Sequence, residues 1–98
     1  MSSLTTILVV LKTFYYQSGS MSSEKRKYME IFLGKKLKEL REEMGLTQKQ
    51  LAERLGMNSV TYLHYEKGQR EPPLGVLADM SKFFGVTVDY LLGLTDYY

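Results

Sequence analysis

Cysteine and tryptophan are absent from this 98-residue chain, and histidine occurs once. Without cysteine there is no disulfide scaffold, no thiolate zinc site and no cysteine nucleophile. The same absence fits a cytosolic compartment, so a cytoplasmic protein is expected. One histidine leaves little room for a histidine-rich metal site or a histidine-dependent triad. No metal and no cofactor are expected. Long apolar runs are lacking too. Residues 4–11 are apolar or threonine, whereas a helix that spans a bilayer needs about twenty such residues. A secretory leader places basic residues before its apolar core, but here Lys12 comes after it and no Ala-x-Ala cleavage pattern follows. No membrane association is expected.

The apolar fraction of 44% is ordinary, which argues against wholesale disorder and allows one domain. The net charge of +2 is too small to demand or forbid a polyanionic partner, so its distribution carries more information. Residues 1–20 carry +1, residues 21–54 carry +3 and residues 55–98 carry −2.

The first twenty residues differ from the rest. Thr5, Thr6, Ile7, Val9, Val10, Phe14, Tyr15 and Tyr16 suit an extended, β-prone segment. Nothing else in the chain reads as a strand, so this one would pair with a second copy, lie on a helix or stay unpaired. Gln17-Ser18-Gly19-Ser20 reads as a linker, and Met21 as an alternative start. Residues 1–23 are therefore set apart as an extension, either a dimerisation strand, a contact for a protein partner or a segment with no function. Residues 24–98 form the expected domain.

That domain reads as five helices. Leu33, Leu37, Leu40 and Met44 fall on one face of a helix over 24–44, with Lys35, Lys36, Lys38, Glu39, Glu42 and Glu43 on the other. Gly45 ends it. Thr47-Gln48-Lys49-Gln50 is a capping box that opens a helix over 48–55, whose buried stripe is Leu51, Ala52 and Leu55, with Gly56 as its stop. Asn58 caps a helix over 59–67, with Tyr62 and Tyr65 on one face and Gly68 closing it. Pro72-Pro73 opens a fourth helix with the stripe Leu74, Leu77, Met80, Ser81 and Phe84, ended by Gly85. Thr87 caps a last helix, Val88–Leu92, ended by Gly93. Five short helices with brief connections make an all-α fold.

Helices 48–55 and 59–67 are joined by Gly56-Met57-Asn58, a turn tight enough for a helix-turn-helix unit. Ala52 is small where the two helices must approach, and the N-terminus at Thr47 and Gln48 leaves backbone amides for a phosphate. With its flanks, the stretch from Leu33 to Leu94 resembles the Cro/repressor-type helix-turn-helix family of phage and bacterial regulators. The resemblance rests on Leu37-Lys38-Glu39-Leu40-Arg41, Gly45-Leu46-Thr47-Gln48, Leu51-Ala52, Leu55-Gly56, Tyr65-Glu66-Lys67-Gly68 and Arg70-Glu71-Pro72. Phe84 to Gly93 continues it. Two positions depart: Tyr62 stands where the family has a branched aliphatic, and Pro73 where a capping serine is common.

The resemblance implies a compact lambda-repressor-like domain that places helix 59–67 in the major groove of a double-stranded DNA operator. Ser59, Val60, Leu63 and His64 would read bases, with Thr61 counted in the same DNA-binding set. Thr47, Gln48 and nearby amides would hold a phosphate. Lys67, Gly68 and Arg70 would follow the backbone at the other edge. Arg41 and Glu66 would form a buried ion pair that sets the tilt of the helix, the alternative being two solvated charges. The reading set holds no Arg, Asn or Gln for a bidentate base contact, so modest specificity per half-site is expected. Dimerisation would supply the rest, through Val88, Tyr90, Leu94 and Tyr97 or through the N-terminal segment.

The expected function is a homodimeric repressor. Two other classes stay open: an antitoxin that uses the same domain and caps a toxin, and an interaction module that no longer binds DNA. His64 as a DNA contact competes with an idle surface residue. Lys25-Arg26-Lys27 as a basic arm competes with plain solvated charge. Tyr90, Tyr97 and Tyr98 as base-stacking groups compete with packing in the core or a dimer. An enzyme is not expected, because no nucleophile–base pair, metal cluster or phosphate loop is visible. With the chain stopping at Tyr98, regulation is expected to come from a partner, protein level or degradation.

Overall fold

The computed structural model describes residues 22–96. The expectations for the β-prone segment, the linker, Met21, Tyr97 and Tyr98 lie outside the described residues. The rest folds as α1 (Ser23–Glu43), α2 (Gln48–Arg54), α3 (Ser59–Glu66), α4 (Leu74–Phe84) and α5 (Val88–Leu92), with no strand among the described residues.

Local chemistry sets where each helix starts. The Ser22 side chain accepts from the Lys25 amide at 3.2 Å and starts α1 one residue earlier than periodicity indicates. Thr47, Asn58 and Thr87 cap α2, α3 and α5 in the same way. At α4 the expectation needs correcting. Pro73 is extended (φ −61°, ψ 159°) and precedes the helix rather than filling its first turn, and proline has no side-chain acceptor to cap with. Leu74 becomes the first helical residue and is 85% exposed, so it drops out of the expected stripe, while Leu77 and Met80 are buried and Ser81 and Phe84 half-buried. The end of a helix projects past the partners that cover its middle.

The stops share one design. Gly45, Gly56, Gly68, Gly85 and Gly93 have φ between 67° and 78°. The residue after each returns its N–H to the carbonyl five positions back, as in Leu46 to Arg41 and Met57 to Ala52. This is the Schellman closure, which satisfies carbonyls that the helix leaves over. Its usual apolar companion is present, since Leu46, Met57 and Val86 pack against the core.

The core joins Leu33 and Leu37 of α1, Leu51 and Ala52 of α2, Tyr62 and Tyr65 of α3, Leu77 and Met80 of α4, and Leu91 of α5. α1 is the spine: it packs on α3 and α5, while α2 packs on α3 and α4 on α5. Two expectations for α1 are corrected. Met44 is the residue that ends the helix and is 47% exposed, past the reach of the other helices. Lys36 is buried at 8% exposure instead of facing solvent. Its Nζ donates to Glu39 Oε1 (3.1 Å) and the Tyr90 hydroxyl (3.2 Å), and lies 4.6 Å from the Tyr90 ring centroid. Burial disfavours the Lys36 charge, but the bonds to Tyr90 and Glu39 outweigh it and hold the ammonium above its ordinary value.

Gly34 lies where α1 crosses the end of α3. A Cβ there would overlap the Glu66 carbonyl oxygen and come within 2.9 Å of the Tyr65 carbonyl oxygen. Only glycine allows the two backbones this approach.

Candidate nucleic-acid interface

The turn between α2 and α3 is built from three residues with distinct duties. Gly56 takes φ 70°, which L side chains rarely adopt. Met57 returns its N–H to Ala52 at 2.9 Å and drops its side chain on the core. Asn58 Oδ1 accepts from the Val60 amide at 2.7 Å and starts α3. Ala52 (1% exposed) lets α2 and α3 close on each other.

α3 has an inner and an outer face. Tyr62 and Tyr65 are buried, while Ser59 and Val60 are exposed and Thr61, Leu63 and His64 are half-buried. Lys67 and Arg70 are exposed beyond its C-terminus. Thr47 is exposed, and both of its capping bonds with Gln50 are made: its Oγ1 accepts from the Gln50 amide (3.1 Å), and its own amide donates to Gln50 Oε1 (2.9 Å).

The inner end of α3 is held by a network centred on Glu66. Arg41 Nε donates to Oε2 at 2.6 Å and Nη2 to Oε1 at 3.3 Å. Gln48 Nε2 donates to Oε1 at 3.0 Å, and the Tyr62 hydroxyl donates to Oε2 at 2.5 Å. Arg41 Nη1 also reaches the Leu46 carbonyl at 2.9 Å. One carboxylate thus receives donors from α1, α2 and α3. Sequence reasoning named Arg41 and Glu66 but not Tyr62 or Gln48 as members. The available clue for Tyr62 was its spacing, four residues before Glu66 on one helix face. Gln48 was assigned outward to a phosphate, whereas its side-chain nitrogen points inward to Glu66.

The network polarises its members. Burial pushes the Glu66 carboxyl up, but donation from Arg41, Tyr62 and Gln48 outweighs it and holds the carboxyl below the ordinary 4.5. Arg41 is held above its ordinary value by the bond to Glu66, against the opposing effect of burial. Burial and the bond to Glu66 push the Tyr62 phenol far up, so it stays a neutral donor. A depressed carboxyl stabilises the fold above its unfolded value, and that contribution goes as pH falls through the folded value. Melting temperature is therefore expected to hold above about pH 5 and to drop below it, more steeply for the wild type than for Glu66→Gln. Circular dichroism melts from neutral to acid pH check this. Parallel curves for the two proteins would assign the acid loss to other carboxylates.

Three of the residues named for dimerisation lie among the described residues. Val88 packs against the core, Tyr90 is half-buried with its hydroxyl on Lys36, and Leu94 is half-buried. The basic run lies in the first turns of α1, with Lys25 buried and Arg26 and Lys27 exposed. No helix among the described residues is long and apolar enough to cross a membrane.

Comparison with known proteins agrees with this geometry. The profile described as helix-turn-helix matches residues 37–91. An uncharacterized HTH-type transcriptional regulator, YobD of Bacillus subtilis (strain 168), is 43% identical over 61 residues, covering 62% of this chain and 54% of the relative. The HTH-type transcriptional regulator ImmR of the same organism is 43% identical over 61 residues, 62% of this chain and 48% of its own length. The cryptic phage CTXphi transcriptional repressor RstR of Vibrio cholerae is 39% identical over 57 residues, 58% of this chain and 51% of its own. The matched part of the chain thus spans about half the length of these relatives.

Proposed function

The chain belongs to the helix-turn-helix family of Cro/repressor type, and from that premise we propose that it is a sequence-specific DNA-binding transcriptional regulator. In this reading it is a homodimeric repressor that lays α3 in the major groove and represses by occupying its operator. The observation that carries the proposal is the division of α3. Its inner residues are locked to α1 and α2 through Glu66, while Ser59 and Val60 project outward at its N-terminal end, with Leu63 and His64 along the same outer face.

Ser59 would bond either base type, Val60 and Leu63 would meet thymine methyl groups, and His64 would donate to guanine or phosphate. Thr61 would stand beside them. The α2 N-terminus would meet a phosphate through its backbone amides, with Gln48 held in place by Glu66. Lys67 and Arg70 would follow the backbone at the far edge. Val88, Tyr90 and Leu94 would frame the dimer contact, setting two α3 helices about 34 Å apart on one face of the duplex.

Random-site selection with the full chain tests this reading. Enrichment of a two-fold symmetric site, with affinity falling as salt rises, supports it. A dimer with no DNA affinity at low salt overturns it and turns attention to a protein partner, the antitoxin reading among them.

Val60→Asp gives a sharper check, since its two readouts should move in opposite directions. Val60 is 57% exposed in the first turn of α3, where a carboxylate stabilises the helix by about 0.3–1 kcal/mol. Beside phosphates the same charge is repulsive by several kcal/mol, so DNA affinity is expected to fall more than tenfold. Melting and binding measured on one preparation separate the effects; unchanged binding would remove α3 from the groove.

A further inference from the structure

The first turns of α1 lie outside the helix-turn-helix match, since α1 spans Ser23–Glu43 and the match begins at residue 37. They do not project away from the domain. Ile31 backs onto Gly68, with a Cβ built at Gly68 lying 3.1 Å from the Ile31 Cα. One turn earlier, Lys27 Nζ donates to the Gly68 carbonyl at 2.8 Å. Gly68 sits in the segment after α3 whose neighbours Lys67 and Arg70 are exposed.

From this contact we infer that Lys27 adds a DNA-phosphate contact beyond the helix-turn-helix unit, continuing the cationic edge of Lys67 and Arg70. The inference rests on the DNA-binding reading above. An ammonium has three donors. One is spent on Gly68, which fixes where the charge stands, and two remain for phosphate oxygens. The side chain is 58% exposed, so those donors face solvent. Glu30 Oε1 forms an ion pair with the ammonium at 3.9 Å but is too distant to take a hydrogen bond from it, so neither remaining donor is spent there. A lysine held by a backbone carbonyl has already lost much of its conformational freedom, so ordering it on a phosphate costs little more. Lys25, in the same basic run, is buried and contributes no such contact.

The test is the salt dependence of binding by the full chain to a short mixed-sequence DNA duplex, on which phosphate contacts dominate. Lys27→Met is expected to flatten the slope of log K against log salt by about 0.9, the share of one phosphate. Over a fourfold rise in salt the wild type then loses about threefold more affinity than the variant. Lys27→Arg is expected to keep the wild-type slope. An unchanged slope in Lys27→Met, with salt-dependent wild-type binding, overturns the inference and leaves Lys27 as a cap on Gly68, whatever happens to its melting temperature. Equal flattening in Lys27→Arg overturns it too, by tracing the effect to geometry rather than charge. A wild type that binds no DNA at low salt overturns the functional reading itself, and this inference with it.

Discussion

Replacing Arg41 with leucine is expected to lower the free energy of unfolding by about 3–5 kcal/mol. A solvated ion pair would contribute only about 0–1 kcal/mol, so the choice of scale depends on burial. The Arg41 and Glu66 side chains are 11% and 4% exposed, which puts them on the buried scale. Leucine fills much of the space but leaves the Glu66 carboxylate with Tyr62 and Gln48 as its donors and no countercharge. Most of the loss is the burden of that stranded charge rather than the worth of the pair. A triple variant separates the two. Arg41→Leu with Glu66→Leu and Tyr62→Phe removes the charges and the buried hydroxyl together, and is expected to regain most of the stability. Urea unfolding of the single and triple variants checks this. A loss below about 1 kcal/mol in the single variant would place the pair on the solvated scale. DNA affinity should remain low in the triple variant even where stability returns, because α3 then lacks the bonds that set its tilt.

The second large effect is expected at Gly34. On propensity alone, alanine in the middle of a helix is better than glycine by about 0.5–1 kcal/mol. Sterics oppose this here. The new Cβ meets the carbonyl oxygens of Glu66 and Tyr65, and backbone cannot rotate aside as a side chain does. α1 and α3 must separate, with an overpacking penalty of about 1–3 kcal/mol before the propensity gain is subtracted. The displacement falls on the residue that carries the Glu66 network, so binding should suffer more than stability. Gly34→Ala is expected to unfold at lower urea and to bind DNA at least tenfold more weakly. Gly75→Ala is the control, since Gly75 lies near the start of α4 with open space around it, and there alanine should be neutral or stabilising. Equal behaviour of the two variants would mean that the crossing is looser than its geometry indicates.

These sites show which parts of the molecule can be read from its sequence. Thr47, Asn58 and Thr87 cap their helices through bonds within three residues, and the glycine stops close within six, so both can be recognised without a tertiary structure. The turn at Gly56-Met57-Asn58 was legible for the same reason, and with it the existence of an outer face on α3. Lys36 was not, because its burial depends on Tyr90, 54 residues away. Nor was the need for glycine at position 34, since its reason is a carbonyl on another helix. Leu74 fits the apolar period of α4 but starts that helix, and periodicity does not say how far the neighbouring helices extend. Gln48 has a polar side chain at a helix start, which suits an outward phosphate and an inward carboxylate equally well. Its partner decides, and that partner is 18 residues on.

The repeated helix stops also bear on how the chain reaches this structure. Each stop forms from residues near in sequence, so every helix carries its own length before it meets another. α2 and α3 are then neighbours across Leu55-Gly56-Met57-Asn58, and α4 and α5 across Gly85-Val86-Thr87. Such pairs can meet by closing small loops, on a scale of about 10–100 ns for closures near ten residues. The docking of α1 on α3 and on α5 joins distant parts of the chain, with Arg41 and Glu66 in the first contact and Lys36 and Tyr90 in the second. A topology of this kind belongs with the fast-folding helical proteins. In stopped-flow refolding, Tyr90→Ala should speed unfolding and leave the folding rate nearly unchanged, as expected for a contact made after the barrier.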